Sequence, residues 1–143
     1  MKTPNSQRWI MAKGGHCVVG VCFRCGKQVK PEKATVMEED MHACQYHDMG
    51  VPEENISGIM VVGLDCAKTL RRLAVEEGTL NTPERRPEVL ERAHAYNAKD
   101  RQETLALEPD SSRYWIKEKS LAYCDFIDQV IDLQRPKAGL DSR

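Results

Sequence analysis

The chain has 143 residues, of which 41% are hydrophobic and 30% charged, and its formal net charge is −1. That apolar content suffices for a core and excludes wholesale disorder, and no run approaches the roughly 18 uninterrupted apolar residues of a membrane span. Residues 1–8 lack the apolar centre of a secretory signal, so the expected location is cytoplasmic, where thiols stay reduced.

In chain order, residues 8–12 read as a short strand, Gly14-Gly15 as a turn and residues 16–23 as the return strand. That strand runs into Cys22-Phe23-Arg24-Cys25-Gly26-Lys27. Two thiolates spaced this way can grip one tetrahedral ion from a tight turn. Gly26 lets the chain reverse just after the second ligand, and Arg24 and Lys27 help offset the thiolate charge. A redox C-x-x-C pair opens a helix after a strand. Here a glycine and a proline-containing segment follow, so zinc is the stronger reading.

Residues 34–37 form the next strand-like core. The segment 41–48 is dense in ligand types, with His42, Cys44 and His47, and residues 50–55 read as a loop. A β-branched run over 59–63 then ends in glycine, and a helix is expected over 65–77. Asp65 suits its N-cap and Cys66 its first position, where the positive end of the helix dipole favours thiolate. Cys66, Leu70 and Leu73 fall on one face, and Gly78 is the stop.

A knuckle on a hairpin, paired with a ligand at a helix start, resembles treble-clef and related zinc modules. The resemblance rests on Cys22, Cys25, Gly26 and the Gly63-x-x-Cys66-Ala67 step, covers about residues 16–78, and is one of architecture only. It implies a structural zinc ion. The second C-x-x-C of such modules is missing, since Thr69 stands where the partner of Cys66 would be. The fourth ligand is therefore expected in the middle segment: Cys44, with His47 as the alternative. A two-zinc scheme adding His16 and Cys17 carries less weight, because a strand with one inward position explains both. Cys124 has no ligand-type neighbour at helical spacing and reads as core.

Residues 79–86 look like a linker, and Pro87 can open a helix reaching about Lys99. Its expected inner face carries Val89, Leu90, Ala93, Tyr96 and Asn97, with His94 at the edge. A long helix is expected over 112–133, capped by Ser111 or Ser112 and stopped by Pro136. Its apolar stripe would comprise Trp115, Ile116, Ala122, Tyr123, Phe126, Ile127, Val130 and Leu133. Tyr114 and Leu121 fall on the opposite side and hint at a contact outside the chain. The fold class is thus α+β: a zinc-binding module over 1–78, a linker over 79–86, and a helical region over 87–136 packed on the module.

Charge is sorted along the sequence. Residues 1–36 carry seven Lys/Arg against one acid, whereas residues 37–66 carry seven acids and no Lys/Arg. A neutral total argues against coating nucleic acid by bulk charge. Phosphate-binding, dinucleotide, zincin and nucleophile-elbow motifs are missing from the sequence, as is the zinc-deaminase pattern. A shell of four protein ligands would also leave no open position for an activated water. A nuclease resembling the HNH type is the remaining enzyme reading, and the second histidine and asparagine it needs are not found. The expected function is that of a small zinc-stabilised interaction or regulatory protein. Its protein partner would dock on Glu38, Glu39 and Asp40 or on Tyr114 and Leu121. Transcription or replication accessory factors and phage-type host-modulating proteins have this size and character. The alternative is nucleic-acid binding through the basic N-terminal face, using Arg24, Lys27, Lys30 and Lys33 with Lys2, Arg8 and Lys13, and with Trp9 and Phe23 for stacking. The sequence sets no oligomeric state.

Overall fold

The computed structural model describes residues 18–40, 45–47, 56–76 and 86–140. β1 (Ala34–Asp40) is the central strand of a three-stranded antiparallel sheet, flanked by β2 (Gln45–His47) and β3 (Ile56–Gly63) in the order β2-β1-β3. Its register with β3 runs from Ala34 opposite Gly63 to Glu39 opposite Gly58, then shifts before Asp40.

Successive strand residues point to opposite faces, so this register sorts the sheet into two cores. Met37 and Val62 join Cys22, Phe23, Cys66, Ala67, Leu70 and Leu73 on one side. Ala34, Val36, Ile59 and Val61 join Leu90, Ala93, Phe126, Ile127, Val130 and Ile131 on the other. The first side is covered by α1 (Leu64–Glu76), which starts directly at the end of β3. The second is covered by α2 (Arg86–Leu105) and α3 (Lys117–Gln134), which also pack on each other. The class is α+β, as the sequence pattern implied. No described helix is long and apolar enough to cross a membrane.

Several expectations are corrected. The described part of the expected return strand is not a strand. Residues 19–20 form a turn, Gly20 has φ +74°, and one isolated bridge joins Val21 to Gln28. The remainder of that strand, residues 16–17, and the expected strand over 8–12 lie outside the described residues. α1 begins at Leu64, so Asp65 is inside its first turn rather than its N-cap, and Cys66 is the third helical residue.

α2 continues past Lys99 to Leu105, because its inner face there is polar and paired rather than apolar. Buried Asn97 donates to the Cys124 carbonyl and to Asp128 Oδ1, both at 2.9 Å. Arg101 donates to Asp125 Oδ1 at 3.0 Å and to Asp128 Oδ2 at 2.7 Å. His94 sits at this edge, its Nδ1 3.9 Å from Asp128 Oδ1. The long C-terminal helix is broken at its start, where Tyr114–Ile116 form a 3₁₀ turn ahead of α3. That turn changes the phase of Trp115 relative to α3 and leaves the spacing within α3 unaltered. Phe126, Ile127 and Val130 are buried as expected, but Ile131 and Gln134 are buried too, while Leu133 and Trp115 are exposed.

Polar latches join the helices to the central strand. Gln134 Nε2 donates to the Ala34 carbonyl at 3.1 Å, and Arg86 bridges Gln134 Oε1 (2.7 Å) and Thr35 Oγ1 (2.5 Å). Arg135 pairs with Glu91. Lys117 Nζ donates to the carbonyls of Leu105 and Leu107, capping the end of α2 from the start of α3.

Candidate metal centre

The knuckle is built from backbone hydrogen bonds. Gly26 N–H donates to the Cys22 carbonyl, Cys22 N–H to the Lys27 carbonyl and Val29 N–H to the Gly20 carbonyl, each at 2.9 Å. Gly26 has φ +79°, the left-handed conformation that glycine adopts without Cβ strain, so the chain does reverse just after Cys25. Phe23 anchors the loop: its N–H donates to the Val61 carbonyl at 2.9 Å, and its ring is buried beside Leu70 and Leu73.

This docking brings Cys22 and Cys25 to Cys66 in the first turn of α1. The three sulfurs all lie within 4.8 Å of one another. Thiolates at about 2.3 Å from one tetrahedral zinc ion stand roughly 3.8 Å apart. The three sulfurs therefore fit three vertices of a single tetrahedron with little adjustment. Cys22 and Cys66 are buried and Cys25 is half-buried. The cysteines are free rather than disulfide-bonded.

The surrounding donors suit thiolate. Arg24 Nη1 donates to Cys66 Sγ at 3.6 Å across 42 residues of sequence. Burial pushes the Cys66 thiol up to about 12, the Arg24 hydrogen bond pulls against it, and ionised Cys22 would push it further up. Burial also opposes ionisation of Cys25. There the backbone N–H of Lys27, the neighbouring Cys22 and Cys66 and the charge of Lys27 outweigh it, holding Cys25 below the ordinary thiol range. A cation shared by all three removes the mutual repulsion, and its binding releases the remaining thiol protons.

The expected fourth ligand, Cys44, lies outside the described residues, and so does the side chain of the alternative, His47. The β2 register sets His47 opposite Glu38. His16, Cys17 and His42 also lie outside. Thr69, at the position where a second C-x-x-C would end, donates its hydroxyl to the Asp65 carbonyl at 3.2 Å. Cys124 is remote from this cluster in the fold. It is fully buried in α3, its Sγ 3.7 Å from Asp100 Oδ2. Burial and the Asp100 charge push it up to about 11, and it does not belong to the cysteine cluster found among the described residues.

The proposed docking residues divide. Glu38 is only 1% exposed and is clasped by Arg92, so it presents no charge to a partner; this expectation is corrected. Its side chain is on the sheet face that α2 covers, and burying a carboxylate there requires the guanidinium. Glu39 is half-buried, and the side chain of Asp40 lies outside the described residues. Tyr114 is exposed and Leu121 half-buried. They line a cavity of about 440 Å³ with Lys117, Glu118 and Trp115, and Trp115 is 80% exposed. In the basic set, Lys27, Lys30 and Lys33 are exposed, whereas Arg24 is engaged with Cys66. Phe23 is buried and cannot stack on a base, which corrects its assignment as a stacking residue. Trp9, Lys2, Arg8 and Lys13 lie outside the described residues.

Sequence reasoning missed Trp115 as a surface residue, because helical periodicity drawn through the 3₁₀ turn places it inward. It also missed the clasp on Glu38, because Glu38 is one of three consecutive acids and the sequence alone does not mark it as the one that α2 covers. Comparison with protein-family models, curated proteins and solved structures finds no match for this chain.

Proposed function

We propose that Cys22, Cys25 and Cys66 hold one structural zinc ion, and that the chain works by binding a protein partner. The observation that carries this reading is the convergence of three sulfurs, drawn from two separate segments, within 4.8 Å in a largely buried setting. A fourth ligand from Cys44 closes the shell, leaving no position for a reacting water. Zinc then fixes the knuckle and α1 to the sheet rather than performing chemistry. The exposed aromatic pair Tyr114 and Trp115, with Leu121, supplies the docking surface, since clustered exposed apolar groups mark interaction sites. A component of transcription or replication, or a host protein met by a phage-type factor, is the kind of partner this reading accommodates.

Metal analysis of the gently purified chain is expected to find about one zinc per molecule. Cys44→Ser should lower that content and His47→Ala should leave it; the reverse would exchange their roles. For the partner, Trp115→Ala should shift stability by less than about 0.5 kcal/mol, as an exposed side chain does. The same change should weaken capture of a specific lysate protein at least about tenfold, the loss typical of a minor hot spot. Capture unchanged by Trp115→Ala and Leu121→Ala would remove this surface from the reading. Turnover of a substrate that disappears in His47→Ala with zinc retained would replace the binding reading with an enzymatic one.

A further inference from the structure

Arg24 occupies an unusual place. It lies between the two knuckle cysteines, yet its guanidinium reaches across to the third, with Nη1 3.6 Å from Cys66 Sγ. Cys66 itself is 8% exposed and embedded among Phe23, Leu70 and Leu73. Water therefore offers this sulfur little solvation, and the guanidinium is the charged donor that the structure aims at it. The helix N-terminus adds its own positive potential, because Cys66 is in the first turn of α1. The neighbouring cation Lys27 acts on Cys25 instead, through its charge and its backbone N–H. Each of these two thiols thus has its own positive partner from the knuckle.

We infer that Arg24 is a positioning and charge-balancing residue of the metal centre: it locks the knuckle to α1 through Cys66 and offsets the negative charge that thiolates place around one zinc ion. The inference rests on the zinc reading above. Three thiolates on Zn²⁺ leave the unit at −1, and a fourth from Cys44 brings it to −2. A buried unit of that charge needs a compensating cation, and a hydrogen bond to a ligating sulfur also fixes the direction of its lone pair. Arginine suits this task because it stays charged in a buried setting and its planar fork holds its direction.

The test uses the full chain with zinc and with cobalt(II) as a spectroscopic probe, comparing wild type with Arg24→Gln and Arg24→Lys. Competition with a chelator should show zinc affinity falling about 10–100-fold in Arg24→Gln, the range seen when a group supporting a metal ligand is removed. Arg24→Lys should recover part of that loss, because it restores charge without the fork. The cobalt–thiolate charge-transfer band should move to longer wavelength in Arg24→Gln, since a sulfur relieved of its hydrogen bond gives up electron density more easily. A purely packing role would leave that band in place. Wild-type affinity and an unmoved band in both variants would overturn the inference while leaving the zinc reading intact. Failure of the wild type to take up zinc or cobalt would overturn both. Should Arg24→Gln fail to fold in excess zinc, a folded, metal-binding Arg24→Lys supports the role of charge, and an unfolded Arg24→Lys overturns it.

Discussion

Removing the metal, or replacing Cys22 or Cys66 by serine, is expected to release the knuckle and α1 from the sheet, whereas Cys124→Ser should leave zinc content unchanged. The asymmetry follows from where each sulfur sits. Cys22 and Cys66 belong to the core that also holds Phe23, Met37, Val62, Leu70 and Leu73. The loop carrying Cys22 and Cys25 has little regular structure of its own, with one isolated bridge and a few turn hydrogen bonds. Its order depends on what ties it to β3 and α1. In small zinc domains the apparent metal binding free energy, about 10–16 kcal/mol at neutral pH, is folding free energy. Losing one ligand removes much of it and leaves one buried and one half-buried thiol of the cluster without their cation.

The second core, between the sheet and α2 and α3, contains none of these cysteines. Hydrogen exchange should therefore show protection lost in the knuckle and α1 of Cys22→Ser and Cys66→Ser, and retained in α2 and α3. Cys124→Ser keeps a donor facing Asp100 and should cost little more than a packing defect. Equal zinc loss in Cys124→Ser, or full zinc retention in Cys66→Ser, would refute the ligand assignment.

The cysteine cluster was legible in the sequence because its signals are local. C-x-x-C-G needs a tight turn, and the Gly63-x-x-Cys66 step needs only a strand that stops and a helix that starts. Both signals survive without tertiary information, and the helix start was misplaced only within its first turn. The cores of β1 and β3 were legible for the same reason, since Val36, Val61 and Val62 are β-branched and their alternation matches two buried faces, whereas β2 was not anticipated and residues 18–23 do not form the strand expected of them. What was illegible was polar. Asp100 and Arg101 look like the solvated end of a helix until α3 supplies Cys124, Asp125 and Asp128 as their partners. Hydrophobic periodicity carries no record of such pairing, so α2 was cut short. Trp115 failed differently: the periodicity was real, but a 3₁₀ turn resets the angular phase that the wheel assumes to be continuous.

Glu38 gives the largest effect expected outside the cysteine cluster. It points from the central strand into the side of the sheet that α2 covers, and Arg92 meets it with a two-pronged clasp. Nη2 is 2.6 Å from Oε1 and Nε is 3.1 Å from Oε2. Arg92 Nη1 also donates to Glu88 Oε1 one helical turn away, at 3.0 Å. The carboxylate is 1% exposed, while the Arg92 side chain keeps 20% of its surface in contact with water. The two single substitutions should therefore cost unequally. Arg92→Leu removes the two-pronged guanidinium from a buried carboxylate and is expected to cost about 3–5 kcal/mol. Glu38→Leu should cost less, because Arg92 retains Glu88 and partial solvation. The double variant should recover most of the loss, since a buried ion pair replaced by apolar groups is often neutral. Urea denaturation of the four proteins gives the coupling directly. A cost below about 1 kcal/mol for Arg92→Leu, the range of an exposed pair, would mean that the clasp does not stabilise Glu38. Charge reversal at Glu38 is for the same reason a test of folding rather than of docking. A partner that reads acidic residues must be sought through Glu39 and Asp40, with Glu38 left intact to hold β1 against α2.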